Sequence, residues 1–244
     1  MKKMLLTISY DGTAYHGWQV QPNGETVQET VQNALEKILG ERPDLTGCSR
    51  TDAGVHALEF CCHFYCKDSF PETAFKKGLD SLLPEDISVK DCFPVPDSFH
   101  ARYSSLGKTY VYRIYNSPVR DPFICRYSWW IERPLDTEKM QKFCDLIVGK
   151  HDFAGFSSSG RTVQDTVREV KECTVSKSGD EILIKITADG FLYNMVRIIV
   201  GTAVGVSDGR ISLSQTQENL SSPERSLAGI TAPPNGLFLE KVLY

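Results

Sequence analysis

Apolar residues in this chain switch between a two-residue and a 3.6-residue rhythm in the same order twice, and few folds satisfy such an alternation. Met4–Tyr10 alternates as a strand. Thr26-x-x-Glu29 then reads as a capping box, and Val27, Val31, Ala34, Leu35 and Ile38 recur at helical spacing until Gly40 stops the run. A short strand near Asp44–Cys48, a polar loop and a strand at Leu58–Tyr65 follow. Ser69-x-x-Glu72 predicts a second helix with Phe75, Leu79, Leu82 and Leu83 turned inward, and Ile87–Pro94 reads as a closing strand.

That order is β-α-β-β-α-β, the ferredoxin-like pattern of an antiparallel sheet with helices on one face. The second half repeats it. Lys108–Asn116 alternates as a strand, and Asp136–Val148 predicts a helix with Met140, Phe143, Cys144 and Ile147 inward, stopped by Gly149. Thr166–Ser176 and Glu181–Ala188 read as a hairpin, Phe191–Val206 as a strongly apolar helix, and Gly236–Tyr244 as a last strand. The halves share architecture rather than identity. The expected fold is therefore α+β: two ferredoxin-like halves, residues 1–100 and 101–244, with antiparallel sheets around a central cleft and helices outside. Phe93–His100 is the expected join.

The 244 residues can bury a sizeable core, and 41% hydrophobic with 24% charged residues is an ordinary globular balance. No apolar run reaches the length of a membrane span, and the opening MKKMLLTISYDG turns polar too soon for a signal peptide. The eight cysteines thus read as reduced thiols of a cytoplasmic protein. Cys61, Cys62, His63 and Cys66 hint at a metal, but FCCHFYC alternates like a strand and no CxxC pair occurs. The net charge of −4 argues against indiscriminate nucleic-acid binding. Charge is nevertheless uneven. Ala101–Trp130 holds Arg102, Lys108, Arg113, Arg120 and Arg126 against Asp121 alone, a local +4 that leaves −8 elsewhere. Such a segment is either a solvated strand face or a site for a polyanion.

Candidate chemistry concentrates in Gly47-Cys48-Ser49-Arg50-Thr51-Asp52-Ala53-Gly54-Val55-His56-Ala57, a loop between two strands. Arg50 and Asp52 stand two apart, and Gly54 permits a tight turn. The plainer alternative is a surface turn in which Asp52 bonds its own backbone. Tyr110 alternates with Tyr112 and Ile114, which suits a core position equally well. Arg197 lies in an acid-free apolar helix, on a stripe with Tyr193 and Gly201. The stripe faces either solvent or a site where an acid such as Asp52 offsets the buried charge.

GCSRTDAGVHA is similar to the active-site motif of the TruA family of tRNA pseudouridine synthases, usually GxGRTDxGVHA. Further segments match that family in order: YDGTAYHGWQVQ with TVQETVQNAL, FHARYSSLGKTYVYRIYN, GKHDFAGF, DGFLYNMVRIIVG and APPNGLFLEKVLY. The resemblance spans essentially the whole chain and implies two ferredoxin-like halves. It implies isomerisation of uridine to pseudouridine at positions 38–40 of the tRNA anticodon stem-loop, by a homodimer that needs no cofactor or metal and binds neither DNA nor membrane. By residue, it implies Asp52 as catalytic carboxylate and Arg50 as the group that displaces the target base. It implies Tyr110 packed on that base, Arg197 paired with Asp52, and Leu237 (or Leu239) lining the base pocket. Arg102 and Arg168 become RNA contacts. His56 and His100 have no acid–base role in the family and read as structural or RNA-contacting.

The reaction breaks a C–N glycosidic bond, turns the free uracil and rejoins it through C5. A carboxylate can attack C1′ or C6, or take a proton from C2′, and all three need it ionised; an adjacent arginine favours that form. Cys48-Ser49 departs from the two small residues usual in the family, and SSSGRTVQD after Phe156 is short, which bears on the choice of target. Three rivals follow: a non-catalytic RNA-binding protein on this fold, a ferredoxin-like enzyme for a small molecule, and a paralogue that modifies another RNA.

Overall fold

In a computed structural model of the protein, which describes residues 1–160 and 163–244, two compact units are present: Met1–Leu106 with Phe238–Tyr244, and Gly107–Leu237. Among the described residues the architecture is α+β, with mostly antiparallel strands and five α-helices. In the first unit β1 (Lys2–Tyr10) is central. It pairs antiparallel with β3 (His56–Cys66) on one side and β4 (Ile87–Val95) on the other. The far edge of β3 takes the short β2 (Thr46–Gly47), antiparallel, and β10 (Leu237–Leu243), parallel.

Period-two alternation puts Met4, Leu6 and Ile8 of β1 and Phe60, Cys62 and Phe64 of β3 fully inside. Two helices supply the remaining apolar surface. Val31 and Leu35 come from α1 (Val27–Leu39), and Phe75 and Leu79 from α2 (Glu72–Leu82). Phe75 meets Phe64 edge to face at 5.3 Å, and Ile38 lies against Gly78, where a Cβ would stand 3.1 Å from its methyl. Each such side chain contributes about 1.5–3 kcal/mol by leaving water. Thr26 caps α1 by accepting from the Glu29 N–H at 3.4 Å, and Gly40 ends it at φ 77°.

The second unit has β5 (Gly107–Asn116), β9 (Glu181–Ala188), β8 (Val167–Ser178) and β7 (Gly149–Asp152) as successive antiparallel neighbours, and β6 (Trp129–Ile131) parallel to β5. α3 (Thr137–Ile147), capped by Asp136 onto the Lys139 N–H, buries Met140, Phe143, Cys144 and Ile147 as expected. α4 (Met195–Ser207) is buried on nearly every side, as a helix apolar all round must be. Its Gly201 lets the Gly229–Ala232 segment approach: a Cβ there would lie 1.8 Å from the Ile230 carbonyl oxygen.

Four expectations need correction. Ser69 does not cap α2; Pro71 holds the N-cap position, because a residue preceding proline is steered away from the helical region and the helix cannot begin at Phe70. The side chain of Glu72 lies outside the described residues. Leu82 is 38% exposed on the last turn, and Leu83 is already extended. The apolar helix begins at Met195 rather than Phe191, since Asn194 is left-handed at φ 59° and interrupts the ladder. Tyr193 is therefore outside the helix and Gly201 is buried, so the stripe through Tyr193, Arg197 and Gly201 is not one continuous face. β10 pairs with β3, and its residues from Phe238 onward group with the first unit. A further helix, α5 (Leu213–Ser221), was not expected: LSQTQENLS has little apolar periodicity, and its buried residues are Thr216 and Asn219.

In an exposed helix, alanine for glycine stabilises by about 1 kcal/mol. Gly201→Ala should instead lower the melting temperature, by an overpacking penalty of about 1–3 kcal/mol. Thermal unfolding followed by circular dichroism checks this; a raised melting temperature would contradict the packing described.

Candidate active site

Between β2 and β3 the chain passes through Cys48–Val55 without regular structure, yet little of its backbone is loose. The Asp52 carbonyl accepts from the Val55 N–H at 3.1 Å, and Gly54 at the third position has φ 76°. That is a type II turn, which requires glycine there. The segment after β1 lies beneath it. The Trp18 N–H donates to the Thr51 carbonyl at 3.1 Å and the Gly54 N–H to that of Tyr15 at 3.3 Å. The Tyr10 and Thr51 hydroxyls meet at 2.8 Å in a buried contact. A Cβ on Gly12 would lie 2.0 Å from the Val55 carbonyl oxygen, and one on Gly17 would lie 2.4 Å from that of Thr51. Asp52 remains part-exposed and Arg50 exposed. The arrangement seats the backbone of the turn through hydrogen bonds and close packing and leaves Asp52 part-exposed on it.

His56 closes the loop from below. It is buried, stacks on Phe238 at 4.6 Å, accepts from the Gly12 N–H at 3.0 Å and lies 3.1 Å from an Asp11 carboxylate oxygen. This is a structural position. His100 anchors a turn: its Nδ1 accepts from the Arg102 and Tyr103 N–H groups at 3.1 and 3.2 Å. The same turn is tied down by the Ala101 N–H, which donates to His63 Nδ1 at 3.1 Å, and by the Tyr244 hydroxyl, which donates to the Ala101 carbonyl at 2.7 Å. Arg102 stands exposed on it, over the Tyr103 ring. Burial, then His100 and Lys3 nearby, push His63 down to about 4, so it is a neutral acceptor.

The other expected residues lie in the second unit. Tyr110 is buried on β5, its ring edge-on to Phe191 at 5.0 Å. Arg168 on β8 packs against Gly190, whose Cβ would lie 3.2 Å from its Nε. Arg197 on α4 is part-buried, donating from Nε to the Ala232 carbonyl at 2.7 Å and from Nη1 to the Asn194 side-chain oxygen at 2.8 Å. Leu237 is buried just past Gly236, whose missing side chain makes room for the Tyr112 ring; Leu239 is core in the first unit, opposite Ala57. Of the basic segment, Arg102, Arg120 and Arg126 are exposed, whereas Lys108 is buried and cannot belong to a solvated face. Arg161 and Thr162, in the short segment after Phe156, lie outside the described residues.

Sequence reasoning missed the cradle formed by Tyr10, Gly12 and Gly17, although YDGTAYHGW was visible as a motif; nothing in its spacing shows what its glycines face. Cys61, Cys62 and Cys66 are buried strand residues of β3, and no group of three or more His, Cys, Asp or Glu in metal-binding proximity occurs among the described residues. No helix among them is long and apolar enough to cross a membrane.

A family model described as tRNA pseudouridine synthase matches residues 6–104 and 143–244, which include Asp52 and Arg197 but not Tyr110. tRNA pseudouridine synthase A of Thermoanaerobacter sp. (strain X514) is 46% identical over 244 residues, covering 100% of both chains. The enzymes of the same name from Clostridium kluyveri and Ruminiclostridium cellulolyticum are 46% and 44% identical, again over 100% of both chains. Among solved structures, a Cbf5-Nop10-Gar1 complex aligns at a TM-score of 0.43 and 11% identity, over 97% of this chain and 48% of that one, too slight a likeness to bear on the assignment. The chain belongs to the tRNA pseudouridine synthase family.

Two outcomes are expected. Gly17→Ala forces a Cβ into the Thr51 carbonyl at an unfavourable φ of 87°, displacing Asp52. Catalysis should fall by on the order of 100-fold, more steeply than stability; a rate loss no larger than the loss of folded protein would contradict the cradle. His63 gives a pH dependence. Between pH 6.5 and about 4 the unfolded chain takes up a proton that the folded one refuses, so stability falls as pH drops through that window. Melting temperatures across it should fall less for His63→Gln than for the parent protein.

Proposed function

We propose that this chain isomerises uridine to pseudouridine at positions 38–40 of the tRNA anticodon stem-loop, with Asp52 as its catalytic carboxylate. The observation that carries the reading is the clamped Thr51–Val55 turn, whose backbone is held by hydrogen bonds and close packing while Asp52 is part-exposed. Membership of the family supplies the reaction class. Each unit is then one ferredoxin-like half, the first bringing the aspartate loop and the second the tyrosine strand and arginine helix. The enzyme works in the cytoplasm as a homodimer.

The chemistry assigns a task to each side chain. A stacked uridine is out of reach, so the target nucleotide is flipped out, at a cost of a few kcal/mol that is least for an unpaired or loop-edge base. Arg50, exposed two residues before Asp52, fills the space it leaves. Asp52 acts ionised, and Arg197 pairs with it to favour that form. Whichever atom it engages, the N1–C1′ bond breaks, C5 bonds to C1′, the C5 proton is released and N1 takes one up. No electron is gained or lost. Tyr110 covers the detached base and Leu237 lines its pocket, so the base turns without escaping. Arg102 and Arg168 meet phosphates.

Because C5 gives up its hydrogen, release of tritium from tRNA labelled at uridine C5 reports turnover. Asp52→Asn should keep the fold and tRNA affinity but lose on the order of a thousandfold or more in rate, since an amide is neither nucleophile nor base. Appreciable tritium release by that variant would refute the assignment.

A further inference from the structure

Asn194 is the sole non-glycine residue with positive φ among the described residues, at φ 59° and ψ 8°. A side chain in the left-handed region is uncommon, and such residues gather where function holds them. Asn194 occupies the N-cap position of α4. Asparagine is among the best capping residues, yet this one makes no side-chain bond to the helix N–H groups. Its carboxamide is turned elsewhere. Oδ1 accepts from Arg197 Nη1 at 2.8 Å, and Nδ2 donates to the Ser158 hydroxyl at 3.0 Å. The arginine settles the amide's orientation, because a guanidinium only donates.

The contact completes a clamp. Arg197 Nε is held by the Ala232 carbonyl at 2.7 Å, and the Ala232 N–H donates back to the Arg197 carbonyl at 3.1 Å. With Asn194 on Nη1, two of the three guanidinium nitrogens face neutral acceptors on different segments, which fixes the plane of the group without neutralising its charge. The other arm reaches Ser158, whose N–H donates to the Tyr193 carbonyl at 3.2 Å. The left-handed turn at Asn194 is what directs the carboxamide across to both partners instead of back over the first turn of α4.

We propose that Asn194 is a positioning residue for the reaction, holding the Arg197 guanidinium in its working orientation and tying it to Ser158 in the loop after the Ala154–Phe156 turn. This rests on the reading that Arg197 serves catalysis.

The test uses full-length protein and tRNA. Asn194→Gly keeps the left-handed backbone open while removing the carboxamide, so folding is not put at risk. It should lower single-turnover pseudouridine formation by on the order of 10- to 100-fold, with tRNA affinity and melting temperature close to the parent's. In an Arg197→Ala background the same change should add no further loss, because the role runs through the arginine. Asn194→Asp, which retains an acceptor for Nη1, should turn over faster than Asn194→Gly. An unaltered rate in Asn194→Gly, or a full additional loss in the double variant, overturns the positioning role. If Arg197→Ala itself turns over normally, the reading beneath it fails as well, and the two failures are told apart by that single variant.

Discussion

Backbone meets backbone where Gly12 faces the Val55 carbonyl and Gly17 that of Thr51, with no room for a methyl group at either place. Close packing of this kind resists movement more firmly than exposed side-chain contacts do, because nothing flexible lies between the two backbone segments. The Thr51–Val55 turn inherits its position from the end of β1, and β1 is held on both sides by β3 and β4. Asp52 is thus placed through the central strand of its unit although it sits in a loop. The Tyr10–Thr51 hydroxyl contact and the Trp18 bond to Thr51 reinforce the same seating.

The second unit solves a comparable problem by different means. Arg197 has a long, flexible side chain, so seating the helix is not enough to fix its charge. The Ala232 carbonyl and Asn194 amide supply the missing restraint, and the first depends on Gly201 and Gly229 allowing the Gly229–Ala232 segment to lie on α4. The small residues of that helix therefore act at a distance, through the segment they admit.

Elements with strong periodicity were legible. The α1 run from Val27 to Leu39, with Thr26 and Gly40 at its ends, needed only spacing and caps, and the β8–β9 hairpin needed only its Gly179-Asp180 turn. Elements decided by other parts of the chain were not. Asn194 reads as an ordinary helical polar residue until its backbone is seen, and α5 packs through Thr216 and Asn219, which no apolar rhythm marks. Of the candidate site, Asp52, Arg50, Tyr110 and Arg197 could be named from motifs. The glycines that hold Asp52 could not be given that role, because what a glycine avoids is invisible without its neighbour.

The pairing of β10 with β3 sets Phe238 and Leu239 beside His56 and Ala57, residues the ribosome adds far apart in time. His56 directly follows the Asp52 turn and stacks on Phe238. The unit that carries the aspartate is therefore discontinuous, and its sheet cannot be finished until all of Gly107–Leu237 has emerged. A nascent chain must keep the His56–Ala57 end of the outer edge of β3 without its β10 partner throughout that interval, exposing strand backbone that is prone to wrong pairing. Long-range strand pairing of this sort also slows folding. Assembly of the aspartate's surroundings accordingly comes well after the aspartate itself is made, completed only when β10 arrives.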